Sequence, residues 1–254
     1  MNQLLASLMF FTRLPWWRLK TVPTSAFEHV ADWWPLMGWL TGGTMAAACL
    51  TATFLGFDPL MTALLTVASR LLLTGALHED GLADFCDGFG GGTTRERTLA
   101  IMKDSHIGTY GVLGLMLCLG LLVASLAELE CSMESAVFIL LSDVTAKCAA
   151  SFITGQLPYA RTAEDAKNGV VYVGRSLRGW MLHFLRCALA LALPVALCFA
   201  LGMTDVLLLL PLPFFVEYLL MCWMRRRLGG YTGDCCGALF LLCELSMYLT
   251  LYII

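Results

Sequence analysis

The sequence predicts an all-α protein that is embedded in a membrane as a polytopic helix bundle. Apolar residues make up 59% of the chain and charged residues only 14%, whereas a typical soluble domain has about 25% charged residues. The mean hydropathy is +0.76. So few charged residues cannot cover a water-exposed surface, and we therefore expect a single integral membrane domain over residues 1–254.

Seven apolar runs are long enough to cross the roughly 30 Å of a bilayer, which takes about 20 helical residues. These runs lie at 34–56, 58–77, 107–127, 133–156, 179–201, 203–224 and 235–254. A shorter run at 1–14 contains Arg13 and is followed by Pro15, which favours a short interfacial helix. The expected fold is therefore about seven transmembrane helices and one short N-terminal helix at the membrane surface.

Basic residues outside these runs occur in four regions, at 13–20, 95–103, 161–178 and 225–227. With seven spans, all four regions fall on the same side of the membrane, and the alternate loops have no Lys or Arg. The positive-inside rule places this side and the N-terminus in the cytoplasm.

The segment from His78 to His106 concentrates charge and glycine between two apolar runs. At about 100° per residue, Asp80, Asp84 and Asp87 fall on one side of a helix, so their carboxylates share one face. Close carboxylates raise one another's pKa unless a cation lies between them, and oxygen ligands suit Mg²⁺. The spacing predicts a metal site, although solvated loop residues with Asp80 as a helix cap are an alternative.

Residues after the three aspartates favour phosphate binding. Gly91 and Gly92 belong to a run of three glycines, which predicts a turn whose N–H groups approach a phosphate. Arg95 and Lys103 supply positive charge, and Asp104 adds a fourth carboxylate. Together with a metal, such groups are typical of enzymes that transfer a phosphate-linked group.

A second polar segment runs from Arg225 to Asp234, on the same predicted side. It fits a basic anchor followed by a turn, with Asp234 as the N-cap of the last helix. It also fits a second phosphate-facing turn, in which Thr232 and Asp234 face the substrate or the metal. Both interpretations remain open at this stage.

Four motifs carry a resemblance to a known family. They are F-T-R-L-P at 11–15, H-E-D-G-L-A-D-F-C-D-G at 78–88, R-E-R-T-L-A-I-M-K-D-S-H-I-G-T-Y-G at 95–111, and G-G-Y-T-G-D-C-C-G-A at 229–238 with Glu244 following. On these motifs the chain resembles the cobalamin-5′-phosphate synthase family nearly end to end.

This resemblance implies an Mg²⁺-dependent, multi-pass enzyme of the bacterial inner membrane, in contact with the lipid bilayer. Its reaction would transfer the adenosylcobinamide-phosphate group of adenosylcobinamide-GDP to a ribose hydroxyl of α-ribazole or of its 5′-phosphate, with release of GMP. That is a late step in assembling the nucleotide loop of cobalamin. No nucleic-acid partner is indicated, and the sequence is compatible with a homo-oligomer.

Within that picture we expect three sets of site residues. The metal ligands would be Asp80, Asp84 and Asp87. The candidate catalytic residues are Glu79, Lys103, Asp104, Asp234 and Glu244, of which Glu79 and Asp104 are candidates for a second metal ion or for the base. The candidate phosphate-binding residues are Arg13, Gly91, Gly92, Arg95 and Thr232.

A CDP-alcohol phosphatidyltransferase is one alternative function. That family uses the motif D-x-x-D-G-x-x-A-R, and Asp84, Asp87 and Gly88 match its opening. However, Gly91 and Gly92 occupy the positions of its alanine and arginine.

A transporter is an alternative of another class. Charged residues inside the apolar runs, namely Asp143, Lys147, Arg186 and Glu217, would then form an ion pathway. Asp143 and Lys147 are four residues apart, however, and this spacing also predicts a simple ion pair on one helix.

Overall fold

A computed structural model describes residues 2–162 and 174–251, and the regular secondary structure within them is helical. The α-helices are α1 (Asn2–Phe11), α2 (Trp34–Phe54), α3 (Pro59–Thr74), α4 (Leu77–Gly91), α5 (Arg95–Ile101), α6 (Thr109–Glu128), α7 (Met133–Ser151), α8 (Ile153–Gln156), α9 (Leu177–Ala200), α10 (Pro211–Leu228) and α11 (Gly233–Leu251). Short 3₁₀ segments lie at 16–18, 24–32 and 205–209. The predicted all-α membrane bundle is confirmed.

The number of spans differs from the prediction of seven. Among the described residues, five helical segments are long and apolar enough to cross a membrane, or six if α3 and α4 together form one bent span. Helix α2 has 21 residues but is not among them, since its sequence contains three glycines and four threonines. The short apolar helix expected at the N-terminus is present as α1.

The predicted span at 58–77 ends early because the backbone turns sharply after Thr74. Gly75 and Ala76 both adopt left-handed conformations, with φ of 66° and 55°, and such residues end a helix. Helices α3 and α4 therefore meet at a bend of 92°. A Cβ atom on Gly75 would meet only the side chain of Arg13, which is exposed and can move aside, so the positive φ is the reason that glycine is favoured here.

After this bend, the first part of the charged segment, residues 78–91, is a helix packed inside the bundle, whereas most of residues 93–106 are exposed. Helix α4 contacts α11, α6 and α5, and its buried residues include His78, Glu79 and Asp87. The predicted glycine turn also differs, since Gly91 is the last residue of α4 and Gly92 is its C-cap.

Helices α7 and α11 form the centre of the molecule. In their apolar stretches, 89% and 72% of residues are buried, compared with 22–28% in α6, α9 and the span that ends with α10. Helices α6, α9 and α10 therefore keep large apolar surfaces on the outside of the bundle, as a lipid-facing helix must.

Close approach of α4 and α11 is made possible by two glycines. A Cβ atom on Gly81 would lie 3.0 Å from the carbonyl oxygen of Asp234, and one on Gly237 would lie 2.8 Å from that of His78. Small residues at a crossing allow two helix backbones to come together. This crossing brings the first turn of α4, with its acidic residues, to the first turn of α11.

Candidate active site

A cavity of about 150 Å³ lies where the first turns of α4 and α11 meet. Its charged lining residues are Asp80, Arg161 and Asp234. Its lining rings are Phe10, Phe11, Trp34, His78 and Tyr159. We call it the aromatic cavity. It joins residues from both polar segments of the sequence, since Asp80 belongs to the first and Asp234 to the second.

The loop after α8 is held against the start of α11 by backbone hydrogen bonds. The N–H of Ala160 donates to the carbonyl of Tyr231 at 2.8 Å, and the N–H of Tyr231 donates to the carbonyl of Pro158 at 3.1 Å. The ring of Tyr159 packs edge-on against that of Tyr231. These contacts fix Arg161, the next residue in the loop, at the cavity.

Arg161 was not predicted as a site residue. Its Nη2 atom lies 3.7 Å from Oδ2 of Asp234 and donates to the carbonyl of Leu99 at 3.3 Å. In the sequence it belongs to a basic region that the positive-inside rule already explains, so no local signal distinguishes it from an anchor. Only the pairing of distant loops places its guanidinium beside a carboxylate.

Thr232 is the N-cap of α11, so Asp234 is available for other contacts. The N–H of Cys235 donates to Oγ1 of Thr232 at 3.4 Å, as expected of an N-cap and the third helical residue. The Thr232 hydroxyl also donates to Asp234 at 3.3 Å. Asp234 therefore contacts Thr232 and Arg161 at the cavity. The prediction that Asp234 is the N-cap of the last helix is wrong, because Thr232 occupies that position.

A second group of charged residues lies deeper in the bundle, and we call it the charge cluster. Its members are Arg70, Glu79, Asp143, Lys147 and Glu244, each at most 4% exposed. Nη1 of Arg70 lies 2.6 Å from both carboxylate oxygens of Glu244, and its Nη2 lies 3.6 Å from Glu79. Lys147 contacts Asp143 at 2.5 Å, which confirms the predicted pair. Buried charges persist only when paired in this way.

The four residues of the transport hypothesis do not form one group. Asp143 and Lys147 lie in the charge cluster, whereas Arg186 lies 3.9 Å from Asp32. Glu217 is buried on α10, and its Oε1 has no hydrogen-bond partner among the described residues.

The three predicted metal ligands lie on α4 but differ in their surroundings. Asp80 is exposed at the aromatic cavity, Asp84 is half-buried, and Asp87 is buried. Both oxygens of Asp87 accept backbone N–H groups, from Gly108 at 2.6 Å and from Gly111 at 2.8 Å. Asp87 thus caps α6. Within 2–162 and 174–251, no group of three or more His, Cys, Asp or Glu side chains is arranged to hold a metal ion.

Asp104 lies at another cavity, of about 500 Å³, which Asp87, Gly91 and Arg97 also line. Its carboxylate contacts Nδ1 of His106 at 2.7 Å and accepts the N–H of the same residue at 3.0 Å. These hydrogen bonds lower the pKa of Asp104 below its usual range. Four of the five predicted catalytic residues are therefore divided among the aromatic cavity, the charge cluster and this second cavity, whereas Lys103 is exposed and lines neither cavity.

Arg95 and Gly92 make contacts that fasten loops together. Arg95 donates to the carbonyls of Leu228 and Ala160, each at 2.8 Å, and the carbonyl of Gly92 accepts from Arg227. Arg13 packs over the bend between α3 and α4 and is exposed. The phosphate-binding roles predicted for these residues, and for Lys103, stay predictions.

Comparison with known proteins identifies the family. A family model described as "Cobalamin-5-phosphate synthase" matches residues 3–252. The chain belongs to the cobalamin-5-phosphate synthase family. The match spans nearly the whole chain, and so includes the aromatic cavity, the charge cluster and the second cavity.

Curated relatives agree with membership of the cobalamin-5-phosphate synthase family. Proteins named "Adenosylcobinamide-GDP ribazoletransferase" are similar to this chain in three bacteria. The relative in Leptothrix cholodnii is 38% identical, with coverage of 96% of this chain and 92% of the relative. The one in Vibrio cholerae is 37% identical (97% and 92%), and the one in Shewanella amazonensis is 35% identical (98% and 94%). No solved structure matches the chain.

Proposed function

We propose that this protein transfers the adenosylcobinamide-phosphate group of adenosylcobinamide-GDP to a ribose hydroxyl of α-ribazole or of its 5′-phosphate, and that GMP is released. The observation that carries the proposal is the family match over residues 3–252. The aromatic cavity supports it, because two motifs far apart in sequence place Asp80 and Asp234 at one cavity with Arg161.

We further propose that Mg²⁺ is required and is held at the mouth of the aromatic cavity. Mg²⁺ usually binds through one or two carboxylates together with substrate phosphates, and Asp80 and Asp234 provide two carboxylates at one cavity. Asp84 follows Asp80 by one helical turn. Asp87 fits less well, since both its oxygens accept backbone N–H groups. When bound, the ion would neutralise charge on the diphosphate.

The chain's own groups would then bind and orient the phosphates. Arg161 offers a guanidinium to phosphate oxygens, which it can bind through two parallel hydrogen bonds. Oδ2 of Asp234 lies 3.7 Å from Nη2 of Arg161 and would keep this side chain at the cavity. Burial raises the pKa of Tyr159 to about 12, so its hydroxyl stays protonated at neutral pH and can donate a hydrogen bond.

The group that accepts the proton of the attacking hydroxyl stays a prediction. Glu79 and Asp104 are the candidates, but Glu79 lies beside Arg70 in the charge cluster and Asp104 lies at the second cavity. Glu244 faces the same arginine. These placements favour a supporting role for Glu79 and Glu244.

We also propose that the aromatic cavity faces the cytoplasm and that the host membrane is the bacterial inner membrane. Several long apolar helices make this a multi-pass membrane protein. Arg161 lies in one of the four basic regions that the positive-inside rule assigns to the cytoplasm, where the nucleotide-linked substrate would also be found.

The test is an assay of GMP release by the purified protein in proteoliposomes with adenosylcobinamide-GDP and α-ribazole. We expect GMP and an equal amount of the cobalamin product when Mg²⁺ is present, and neither when EDTA replaces it. Turnover that is unchanged in EDTA would contradict the metal proposal. Absence of both products from correctly folded protein would contradict the reaction.

A further inference from the structure

We propose that Cys49 and Cys131 are a site of covalent modification, at which a thiol–disulfide oxidant outside the cytoplasm joins them in a disulfide bond. This inference rests on the orientation proposed above, because that orientation places the two cysteines on the oxidising side of the membrane. It does not depend on which reaction the protein catalyses.

The first support is the direct contact between the two thiols. Their Sγ atoms lie 2.6 Å apart, although 82 positions separate the two residues in the sequence. Cys49 lies near the end of α2, and Cys131 lies in the loop between α6 and α7. A disulfide bond brings the two sulfurs to about 2.05 Å. The packing of the helices therefore already holds both side chains where a small movement lets the bond form.

The second support is the position of this pair along the bundle. Helix α2 begins at Trp34, which lines the aromatic cavity, and Cys49 lies about 22 Å further along the same helix at 1.5 Å per residue. Helix α6 begins at Thr109, which lines the second cavity. Its 20 residues extend about 30 Å before the loop that contains Cys131. The pair therefore lies towards the opposite end of the bundle from both cavities.

The third support is the charge of the surrounding segments. Residues 21–69, which include Cys49, contain no Lys or Arg, and neither do residues 104–146, which include Cys131. The positive-inside rule assigns such segments to the outside of the membrane. Disulfide bonds form and persist in the oxidising bacterial periplasm and are rare in the cytosol. The compartment thus favours the bonded form of two thiols that are already in contact.

The exposure of the two thiols sets the order of the chemical steps. Cys131 is half-buried in a loop beside the exposed Glu130, whereas Cys49 is only 6% exposed. The Cys131 thiolate attacks the disulfide of the oxidant, and a mixed disulfide forms as one oxidant sulfur leaves. Cys49 then loses its proton and attacks Sγ of Cys131, and the second oxidant sulfur leaves. Two electrons and two protons pass from the protein to the oxidant, which leaves as thiols.

The bond would affect stability and not turnover. It closes a long loop in the chain and so restricts the unfolded state, which is how disulfide bonds stabilise proteins. It also fastens α2 to the turn between α6 and α7. Because the pair lies far from both cavities, it does not contact the substrates.

The experiment measures the oxidation of each cysteine in membranes from aerobically grown cells. Free thiols are blocked in denaturant with N-ethylmaleimide, disulfides are reduced, and the released thiols are labelled with the deuterated reagent for peptide mass spectrometry. Cys148 and Cys187 are the matched control, because their thiols also contact each other but are 0% and 7% exposed and lie on the cytoplasmic side in the proposed orientation. We expect a heavy-to-light ratio at least about tenfold higher at Cys49 and Cys131.

The variant Cys131→Ser tests the pairing. Cys49 should then be recovered as a free thiol, the unfolding temperature should fall by about 5 °C or more, and kcat for GMP release should stay unchanged. Equal oxidation of the two cysteine pairs, or a Cys49 that stays oxidised in Cys131→Ser, would overturn the inference. The measurement on the unmodified protein stands even if this variant does not fold.

A membrane-impermeant maleimide separates this inference from the proposed orientation. In intact cells that carry Cys49→Ser, we expect the reagent to label Cys131. Labelling only after lysis would contradict the orientation, and with it the access of the oxidant. Labelling in intact cells, combined with free thiols at Cys49 and Cys131 in the unmodified protein, would overturn the disulfide inference alone.

Discussion

The aromatic cavity and the charge cluster are built from neighbouring residues but have opposite properties. Glu79 and Asp80 are adjacent on α4, and yet Glu79 is buried beside Arg70 whereas Asp80 is exposed at the cavity. Consecutive helical residues point about 100° apart, so one short motif supplies both regions. Helix α11 repeats this division, with Asp234 at the cavity and Glu244 in the cluster.

Phe240 separates the two regions. On one side, its ring lies 4.6 Å from that of His78, which lines the aromatic cavity. On the other side, Nζ of Lys147 lies 3.7 Å from the ring centroid and Cζ of Arg70 lies 5.1 Å from it. The charges of the cluster lie within 4 Å of one another, whereas the charged residues of the cavity reach its surface at Asp80. We infer that the cluster stabilises the crossing of α3, α4, α7 and α11 and that the cavity performs the chemistry.

Removing one member of the cluster should reduce stability strongly. In Arg70→Met, Glu244 loses the guanidinium that contacts both its oxygens, and breaking a buried ion pair costs about 3–5 kcal/mol. Unfolding in detergent, followed by circular dichroism, measures this loss. The control is the double variant Arg70→Met/Glu244→Leu, which removes both charges and should recover part of the stability. A double variant no more stable than Arg70→Met would show that the pair is not the stabilising contact.

A change at the cavity should instead affect turnover. Asp234→Asn removes a carboxylate next to Arg161, and we expect kcat for GMP release to fall by about 100-fold or more, as when a preorganised electrostatic contact is removed, with little change in unfolding temperature. Asp205→Asn is the matched control, because Asp205 is exposed and lines neither the aromatic cavity nor the second cavity. Similar losses in both variants would argue against a site at Asp234.

Loss of the Arg161 charge should have an intermediate effect. A charge-assisted hydrogen bond contributes about 1.5–3 kcal/mol. Arg161→Gln should therefore raise KM for adenosylcobinamide-GDP and for α-ribazole 5′-phosphate by at least about tenfold. Arg161→Lys should retain part of the binding, since the charge remains. Arg226→Gln provides the control, because Arg226 is exposed near the end of α10. An unchanged KM in Arg161→Gln would remove this residue from the site.

The smallest effect is expected at the second cavity. Hydrogen bonds from His106 lower the pKa of Asp104. A carboxyl group whose pKa is lower in the folded state stabilises that state above its unfolded pKa of about 3.9, and this contribution disappears as the pH falls through the folded pKa. His106→Ala should therefore raise the pKa of Asp104 towards its ordinary value, as measured by carbon-detected NMR titration. The Asp58 resonance is an internal reference, and an equal shift at Asp58 would mean that the change is not local.

Much of the fold follows from the sequence, because hydropathy and helical spacing are local properties. The predicted run at 107–127 corresponds to Thr109–Glu128, and the spacing of Asp143 and Lys147 correctly predicts their contact. The helix predicted at 58–77 ends at Thr74, because hydropathy carries no information about the left-handed backbone of Gly75 and Ala76.

The site was harder to predict, because its residues come from segments far apart in the chain. Asp80 and Asp234 were recognised from their motifs, and the structure places both at one cavity. Arg161 and Trp34 were not recognised, since an arginine in a basic loop and a tryptophan at the start of a membrane helix are ordinary features of membrane proteins. Only the crossing of α4 and α11 and the pairing of two loops bring them together.

The most direct test compares the two adjacent residues of α4 in one assay of GMP release, with unfolding temperatures measured on the same preparations. Asp80→Asn should lose about 100-fold or more of kcat and keep its unfolding temperature. Glu79→Gln should lower the unfolding temperature and keep kcat within about threefold, which is under 1 kcal/mol in the barrier. The opposite pattern, with kcat lost in Glu79→Gln and retained in Asp80→Asn, would place the chemistry in the charge cluster and contradict the division of roles.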